Sequence, residues 1–426
     1  MTRDRIRPSR VLRLLPLLVL AAAAPPSPWP DAAVQDLTAM HDLIRDNHPG
    51  PVDPANPGFR DWLDGGEATL LPQARAARSL HDYQLVLRDY ANGFADGHLG
   101  VVMTDSAAHL WPGFLVRADR PDAPLRVSAL ATGPDAPVGV QLGSVVESCG
   151  GITARTLLEE RVLRPALNPH VPQRLRLASA LLTVTDADAP SDHWPGCTVS
   201  SHGRSRAVPL RWRPITQAAL AREQARSSGI ALPQTGLRHV GDVWLVSLPS
   251  FDPRDAAATT RLQASARNAA AIREDSAMLQ RQGQTAIAGH LDELAGRMDA
   301  ALLEHQTFLR EQGDPPGPAP DLATPFLNPV YLLTTPHCAS ACLDFVDLMN
   351  GLPGAVRVGL ETSSDADYFE LAAAPLPSGH ATLRYAMKAY RQRKRAANAS
   401  YKPAIAWQGG EMNDLSIAKW IDTLMS

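Results

Sequence analysis

The side chain of greatest chemical interest in the 426-residue chain is Ser340, in the run Tyr331-Leu-Leu-Thr-Thr-Pro-His-Cys-Ala-Ser340-Ala-Cys-Leu. An apolar strand pattern ends at Thr335, a short turn follows, and a helical pattern starts at Ser340. The first N–H groups of a helix lack intrahelical partners and carry the positive end of its dipole, so an oxygen there sits where developing negative charge is favoured. Serine is also a common plain helix cap, which is the structural alternative. His337, three residues earlier, is a candidate base, although neighbours on a tight turn seldom face one another. Four cysteines, Cys149, Cys197, Cys338 and Cys342, allow three disulfide pairings between which sequence alone does not choose. Pairing Cys338 with Cys342 and Cys149 with Cys197 is preferred, and a zinc half-site at Cys338 and Cys342 is the alternative. Arg391, Arg393, Lys394 and Arg395 form a short basic stretch, read as a solvated strand or loop, or as a site that grips a peptide carboxylate.

Around Ser340 the order is strand (329–335), helix (341–352), strand (355–361), which argues for a βαβ unit with a parallel sheet. The region 236–426 that contains it begins with the strand pattern Val240-Gly-Asp-Val-Trp-Leu-Val-Ser-Leu-Pro249. A helical stretch rich in Ala, Arg, Gln and Leu follows over 254–312, then the break Gly313-Asp-Pro-Pro-Gly-Pro-Ala-Pro-Asp321. From about 99 to 215 short β-type runs alternate with Gly, Pro and Asp. Within them, Gly139-Val-Gln-Leu-Gly-Ser-Val-Val-Glu-Ser-Cys-Gly-Gly151 and the helical segment after it resemble part of a PDZ module, placed at 109–215. Residues 31–98 read as a helical cap interrupted by the turn-rich stretch from His48 to Gly58.

With 45% hydrophobic and 20% charged residues the chain is neither disordered nor fibrous. A net charge of −3 gives no basic footprint for nucleic acid. Residues 1–24 read as a secretory signal, with Arg3, Arg5, Arg7, Arg10 and Arg13 ahead of an apolar run that ends in small residues. That run is shorter than the roughly 20 residues needed to cross a bilayer. The expectation is an exported protein, periplasmic or secreted, with no stable membrane insertion once the leader is removed. Export places the four cysteines in an oxidising compartment.

A second fragment, Phe94-Ala-Asp96-Gly97-His98-Leu99-Gly100-Val101, closes the helical cap and opens a strand. Together with Thr335-Pro-His-Cys-Ala-Ser340-Ala-Cys-Leu-Asp-Phe345, in this order and about 240 residues apart, it resembles the tail-specific (carboxy-terminal-processing) and tricorn-core serine peptidases. Val358-Gly-Leu-Glu361-Thr362 and Tyr401-Lys-Pro403 add to the likeness, which spans roughly residues 35–426. The resemblance implies an α/β fold: a crotonase-like, ClpP-like core at 236–426, with the helical cap and the PDZ-like β module before it. It makes Ser340 the nucleophile and His98 the base of tricorn-type members. An imidazole activates a hydroxyl by accepting its proton, and an acid orients the imidazole. Processing peptidases use a lysine about 25 residues after the serine; here that position is Asp365 and no lysine precedes Lys388. Asp365 is therefore the candidate orienting acid and Glu361 its rival, while the Ala341 N–H is the candidate oxyanion donor.

One departure bears on activity. Family members carry a second strand ending in a D-L-R-G-N-x-G-G run whose N–H groups help form the oxyanion hole, and residues 254–300 contain no such run. Losing one oxyanion donor typically costs about 10² to 10³ in rate. The expected function is an exported serine peptidase acting on peptides or unfolded proteins, with no cofactor and no metal. The alternative is a catalytically weak or inactive relative that binds peptides or protein tails. An esterase using the same serine is disfavoured because Ser340, flanked by Ala339 and Ala341, lacks a G-x-S-x-G elbow.

Overall fold

The computed structural model describes residues 27–104, 108–119, 122–133, 136–163, 175–185, 193–231, 235–247, 259–311, 329–391, 393 and 395–425. The leader at 1–24 lies outside them, and no helix among the described residues is long and apolar enough to cross a membrane.

Three helices come first: α1 (Trp29–Asn47), α2 (Pro57–Ala76) and α3 (Leu80–Asn92). In α1, Ala33, Leu37, Met40 and Ile44 recur at helical spacing and are fully buried. Pro49 and Pro51 stop α1, whose cap residue His48 is extended and whose chain then makes a single 3₁₀ turn.

Ten short strands follow: β1 (Gly100–Met103), β2 (His109–Trp111), β3 (Phe114–Arg117), β4 (Arg126–Leu130), β5 (Val145–Cys149), β6 (Ile152–Thr153), β7 (Val184–Thr185), β8 (Gly196–Ser201), β9 (Arg204–Pro209) and β10 (Arg213–Ile215). After β6 the chain makes the short helix α4 (Ala154–Leu157), so strand, glycine turn and helix succeed one another as the segment predicts. β3, β4, β5, β8 and β9 form one antiparallel sheet in that order, with β6 on β5. Phe114, Val127, Val146, Leu157, Trp194 and Val199 fill its core. Cys149 and Cys197 lie directly opposite on β5 and β8 and are joined by a disulfide.

Beyond α5 (Gln217–Ser228), the run from Val240 to Pro249 is not one strand. Gly241 takes φ 61° and turns the chain into the hairpin of β11 (Gly236–Val240) and β12 (Val243–Ser247), with Val240 paired to Val243. The stretch 254–312 is also more varied than its composition predicts. It holds β13 (Thr259–Gln263), α6 (Ala266–Arg281), α7 (Thr285–Leu303) and β14 (Phe308–Glu311). Gly283, at φ 79°, breaks the helical run, and tertiary pairing of β13 with β14 and with a later strand overrides helix propensity at the ends.

The remainder is β15 (Val330–Thr334), α8 (Ala341–Met349), β16 (Ala355–Gly359), β17 (Tyr368–Pro375), β18 (Ala381–Arg391), β19 (Ile405–Ala406) and α9 (Asp414–Met425). β15, α8 and β16 make the expected parallel βαβ unit, and β19 extends its sheet beyond β16. β18 pairs with β1, β13 and β17 in a second sheet. Helices α1–α3, α6 and α7 cover that sheet with one continuous core that includes Leu37, Tyr83, Leu87, Met298, Leu383 and Tyr385. The N-terminal helices are thereby packed on a C-terminal hairpin. This brings the turn before β1, which carries His98, to the loops beside α8.

Candidate active site

Ser340 caps α8 with φ 52° and ψ −125°, a left-handed conformation that side chains rarely adopt and that costs on the order of 1–3 kcal/mol. The surrounding chain holds it there. The Cys338 N–H donates to the Thr335 carbonyl, the Ser363 N–H donates to the Cys338 carbonyl, and a disulfide joins Cys338 to Cys342 across the corner. The two cysteines are thus bonded to each other rather than poised as a zinc half-site, and among the described residues no cluster of His, Cys, Asp or Glu could hold a metal ion. The Leu343 and Asp344 N–H groups turn back to the Ser340 carbonyl, while no described backbone carbonyl accepts from the Ala341 N–H. That N–H is free to meet a developing oxyanion.

His98 reaches this corner from the other side of the molecule: its Nε2 lies 3.2 Å from Ser340 Oγ. His337 is exposed. The turn that carries His98 is built by Asp96, whose Oδ1 accepts from the His98 N–H at 2.9 Å and whose carbonyl accepts from the Leu99 N–H. Asp96 is fully buried, and its Oδ1 is also 3.7 Å from His98 Nδ1. Its second oxygen lies 3.0 Å from His48 Nε2, and His48 Nδ1 in turn accepts from the Gly50 N–H at 2.9 Å. Among the described residues, buried His98 Nδ1 makes no hydrogen bond, with Asp96 Oδ1 3.7 Å away.

The charges agree with this geometry. Burial disfavours a charged imidazole at His98, but contact with the Asp96 carboxylate, aided by Asp365, outweighs burial and Arg393, and raises its pKa above the ordinary value. Burial alone would push the Asp96 carboxyl up; its contacts with His48 and His98 instead bring it down to about 2.

Asp365 is buried near this group but is occupied elsewhere. It pairs with Arg393 at 3.2 Å and with Arg395, and makes no hydrogen bond to His98. Glu361 accepts from the Ser400 hydroxyl. Two arginines of the basic stretch are buried rather than solvated: Arg395 is 1% exposed among Asp344, Asp347 and Asp365, and Arg393 is 7% exposed between Asp365 and Asp367. Lys394 lies outside the described residues. These ion pairs tie α8 to the 363–367 loop, and Asn398 ties the same loop to the histidine turn by donating to the Ala95 carbonyl. The part of Asp96 and His48 in the site escapes a reading of the sequence, although the Asp96-Gly97-His98 run carries the signal for Asp96.

The fold compares with solved structures over nearly its whole length. The crystal structure of mature CPAF matches with a TM-score of 0.61 at 14% sequence identity, covering 93% of this chain and 97% of that one. In fold, the chain is similar to mature CPAF. The structure of mature CPAF complexed with lactacystin matches at 0.59, with 13% identity and 93% and 98% of the two chains covered. The photosystem II D1 C-terminal processing protease matches over 88% and 93% at 10% identity, with a TM-score of 0.31 that carries no argument about fold. At 13–14% identity, the likeness to mature CPAF shows the fold alone. No protein-family model matches the chain, and a search of the curated proteins gives no match.

Proposed function

We propose that the chain is an exported serine peptidase that cleaves peptides or unfolded proteins with Ser340 as nucleophile, His98 as base and Asp96 as the acid that orients His98. The observation that carries this reading is the 3.2 Å approach of His98 Nε2 to Ser340 Oγ across 242 residues of sequence, at a helix start where Ser340 is held in a strained conformation. Ser340 Oγ attacks the scissile carbonyl while its proton passes to His98 Nε2. The resulting oxyanion meets the Ala341 N–H and the positive end of α8. His98 then returns the proton to the leaving amine, an acyl-enzyme remains, and water attacks it by the same route in reverse, with His98 accepting the water proton and giving it back to Ser340.

A second reading, a catalytically weak peptide binder, rests on the missing glycine run. Among the described residues β15 pairs with β16 alone, and none of them supplies a second strand's N–H groups beside Ser340. Labelling of the purified, disulfide-intact protein by a fluorophosphonate probe separates the two. An activated serine labels, and the signal disappears in Ser340→Ala and His98→Ala; a folded protein that does not label is a binder. Lactacystin is a second probe, since one of the similar structures is its complex.

A further inference from the structure

We propose that His48 is a positioning residue for this reaction, an Nε2–H donor that seats the Asp96 carboxylate against His98. The inference rests on the serine peptidase reading above and extends it to a residue in the turn-rich stretch after α1, 50 positions from the base.

The tautomer of His48 follows from its two neighbours. A backbone N–H can only donate, so Nδ1, which receives the Gly50 N–H at 2.9 Å, carries no proton. The ring proton is then on Nε2, which donates to Asp96 Oδ2 at 3.0 Å. Protonating His48 would set an Nδ1–H against the Gly50 N–H with no room for solvent, since the ring is 0% exposed. Packing locks the ring in plane: it stacks on Phe59 at 4.6 Å and 12°, and meets the edge of Tyr368 at 4.9 Å. Asp96 therefore has one oxygen fixed by His48 and the other left to its own turn and to His98. A buried carboxylate whose second oxygen had no donor would take up a proton or rotate, and either change weakens its hold on the imidazolium.

The charged and titratable groups facing the pair are few. His48 comes from the end of α1, and Asp365 and Arg393 act on His98 from the loops beside α8. Tyr368, whose hydroxyl donates to Asp53 at 3.1 Å, feels the Asp96 charge from β17.

The test compares His48→Gln with His48→Asn in the full chain. Glutamine keeps a neutral N–H donor near the place of Nε2, whereas asparagine places its amide near Nδ1 and cannot reach Asp96. Two readouts are taken: hydrolysis of an unfolded protein substrate, as kcat and KM, and the NMR titration of the His98 ring in a Ser340→Ala background. The expected result for His48→Asn is a kcat lower by tenfold or more, an almost unchanged KM, and a His98 midpoint about one pH unit lower, the equivalent of that tenfold. His48→Gln restores both towards the parent values. The proposal is overturned when both variants lower kcat alike while the His98 midpoint stays in place, or when neither changes anything. If instead Ser340→Ala and His98→Ala still turn over substrate, it is the serine peptidase reading that fails.

Discussion

Asp96→Asn is the substitution that separates the two carboxylates near His98. Asp96 Oδ1 is 3.7 Å from His98 Nδ1, and Asp96 is fully buried. When His98 accepts the serine proton it becomes a cation beside that anion. At an effective dielectric constant of about 20 the attraction at this separation is about 4.5 kcal/mol. About 1.4 kcal/mol corresponds to tenfold in rate, so three decades is the ceiling, and the burial that opposes charge on His98 lowers it. The expected loss is about 10² to 10³ in the rate of fluorophosphonate labelling, measured at a pH where His98 is neutral in both proteins. Asp365→Asn should do something different. It removes a charge from Arg393 and Arg395, leaving Asp367 beside the first and Asp344 and Asp347 beside the second. The expected result is a fall in stability of about 3 kcal/mol, the low end of what breaking a buried pair costs, read as a lower Tm. Labelling of the folded fraction should change by only a few-fold. Loss of labelling in folded Asp365→Asn, with Asp96→Asn within threefold of the parent, would refute the assignment and make Asp365 the orienting acid.

Four further outcomes follow from the same geometry. Because His98 acts as a neutral base and its pKa is raised, the acid limb of a labelling-rate profile should have its midpoint above about 6.5. In stability the two groups have opposite signs. The contribution of Asp96, depressed by folding, is present above about pH 4 and lost as pH falls towards about 2; that of His98 is present below about 6.5 and lost as pH rises through its elevated value, and urea midpoints across pH measure both. Ser340→Gly should abolish labelling yet raise stability by about 1 kcal/mol, since glycine takes a positive φ without strain; a Tm below that of Ser340→Ala would contradict this. Removal of the Cys149–Cys197 bridge, which spans 48 residues, should cost about 4 kcal/mol, against about 2 for Cys338–Cys342 with its span of 4. The second pair should instead lower labelling, because it holds the Ser340 corner, and paired alanine variants read by Tm and labelling test the contrast.

What could be read in the sequence was local. The strand, corner and helix around Ser340 are written within 30 consecutive residues, and the parallel βαβ unit follows from their order. Short β-type runs separated by glycine, proline and aspartate marked the small β sheets for the same reason. The errors arose where partners are distant. β13 and β14 read as ends of a helix, because the strands that claim them, each other and β18, are from about 45 to 130 residues away in the chain. The hairpin at Gly241 was missed because only β12 is an apolar run, whereas β11, Gly236-Leu-Arg-His-Val240, mixes polar and apolar residues, and a single glycine decides the reversal.

The site divides along the same line. Ser340 and His98 stand in short fragments whose resemblance to a peptidase family brought them together on paper. Asp96 was in view beside His98, but an aspartate in a D-G turn is ordinary turn chemistry, and its own Oδ1 does cap the His98 N–H. Only three dimensions add that the same carboxylate is fully buried and that its other oxygen meets His48. Asp365 attracted attention by counting residues from the serine, yet burial beside two arginines uses its charge to fasten the loop to α8. A carboxylate saturated by guanidinium groups is a poor orienting partner for an imidazole, because its field is already neutralised where the proton must be held. A carboxylate whose one neighbour is a neutral donor keeps its full charge for the base. That difference in partners, rather than distance along the chain, is why the proposed mechanism assigns Asp96 rather than Asp365 to orient His98.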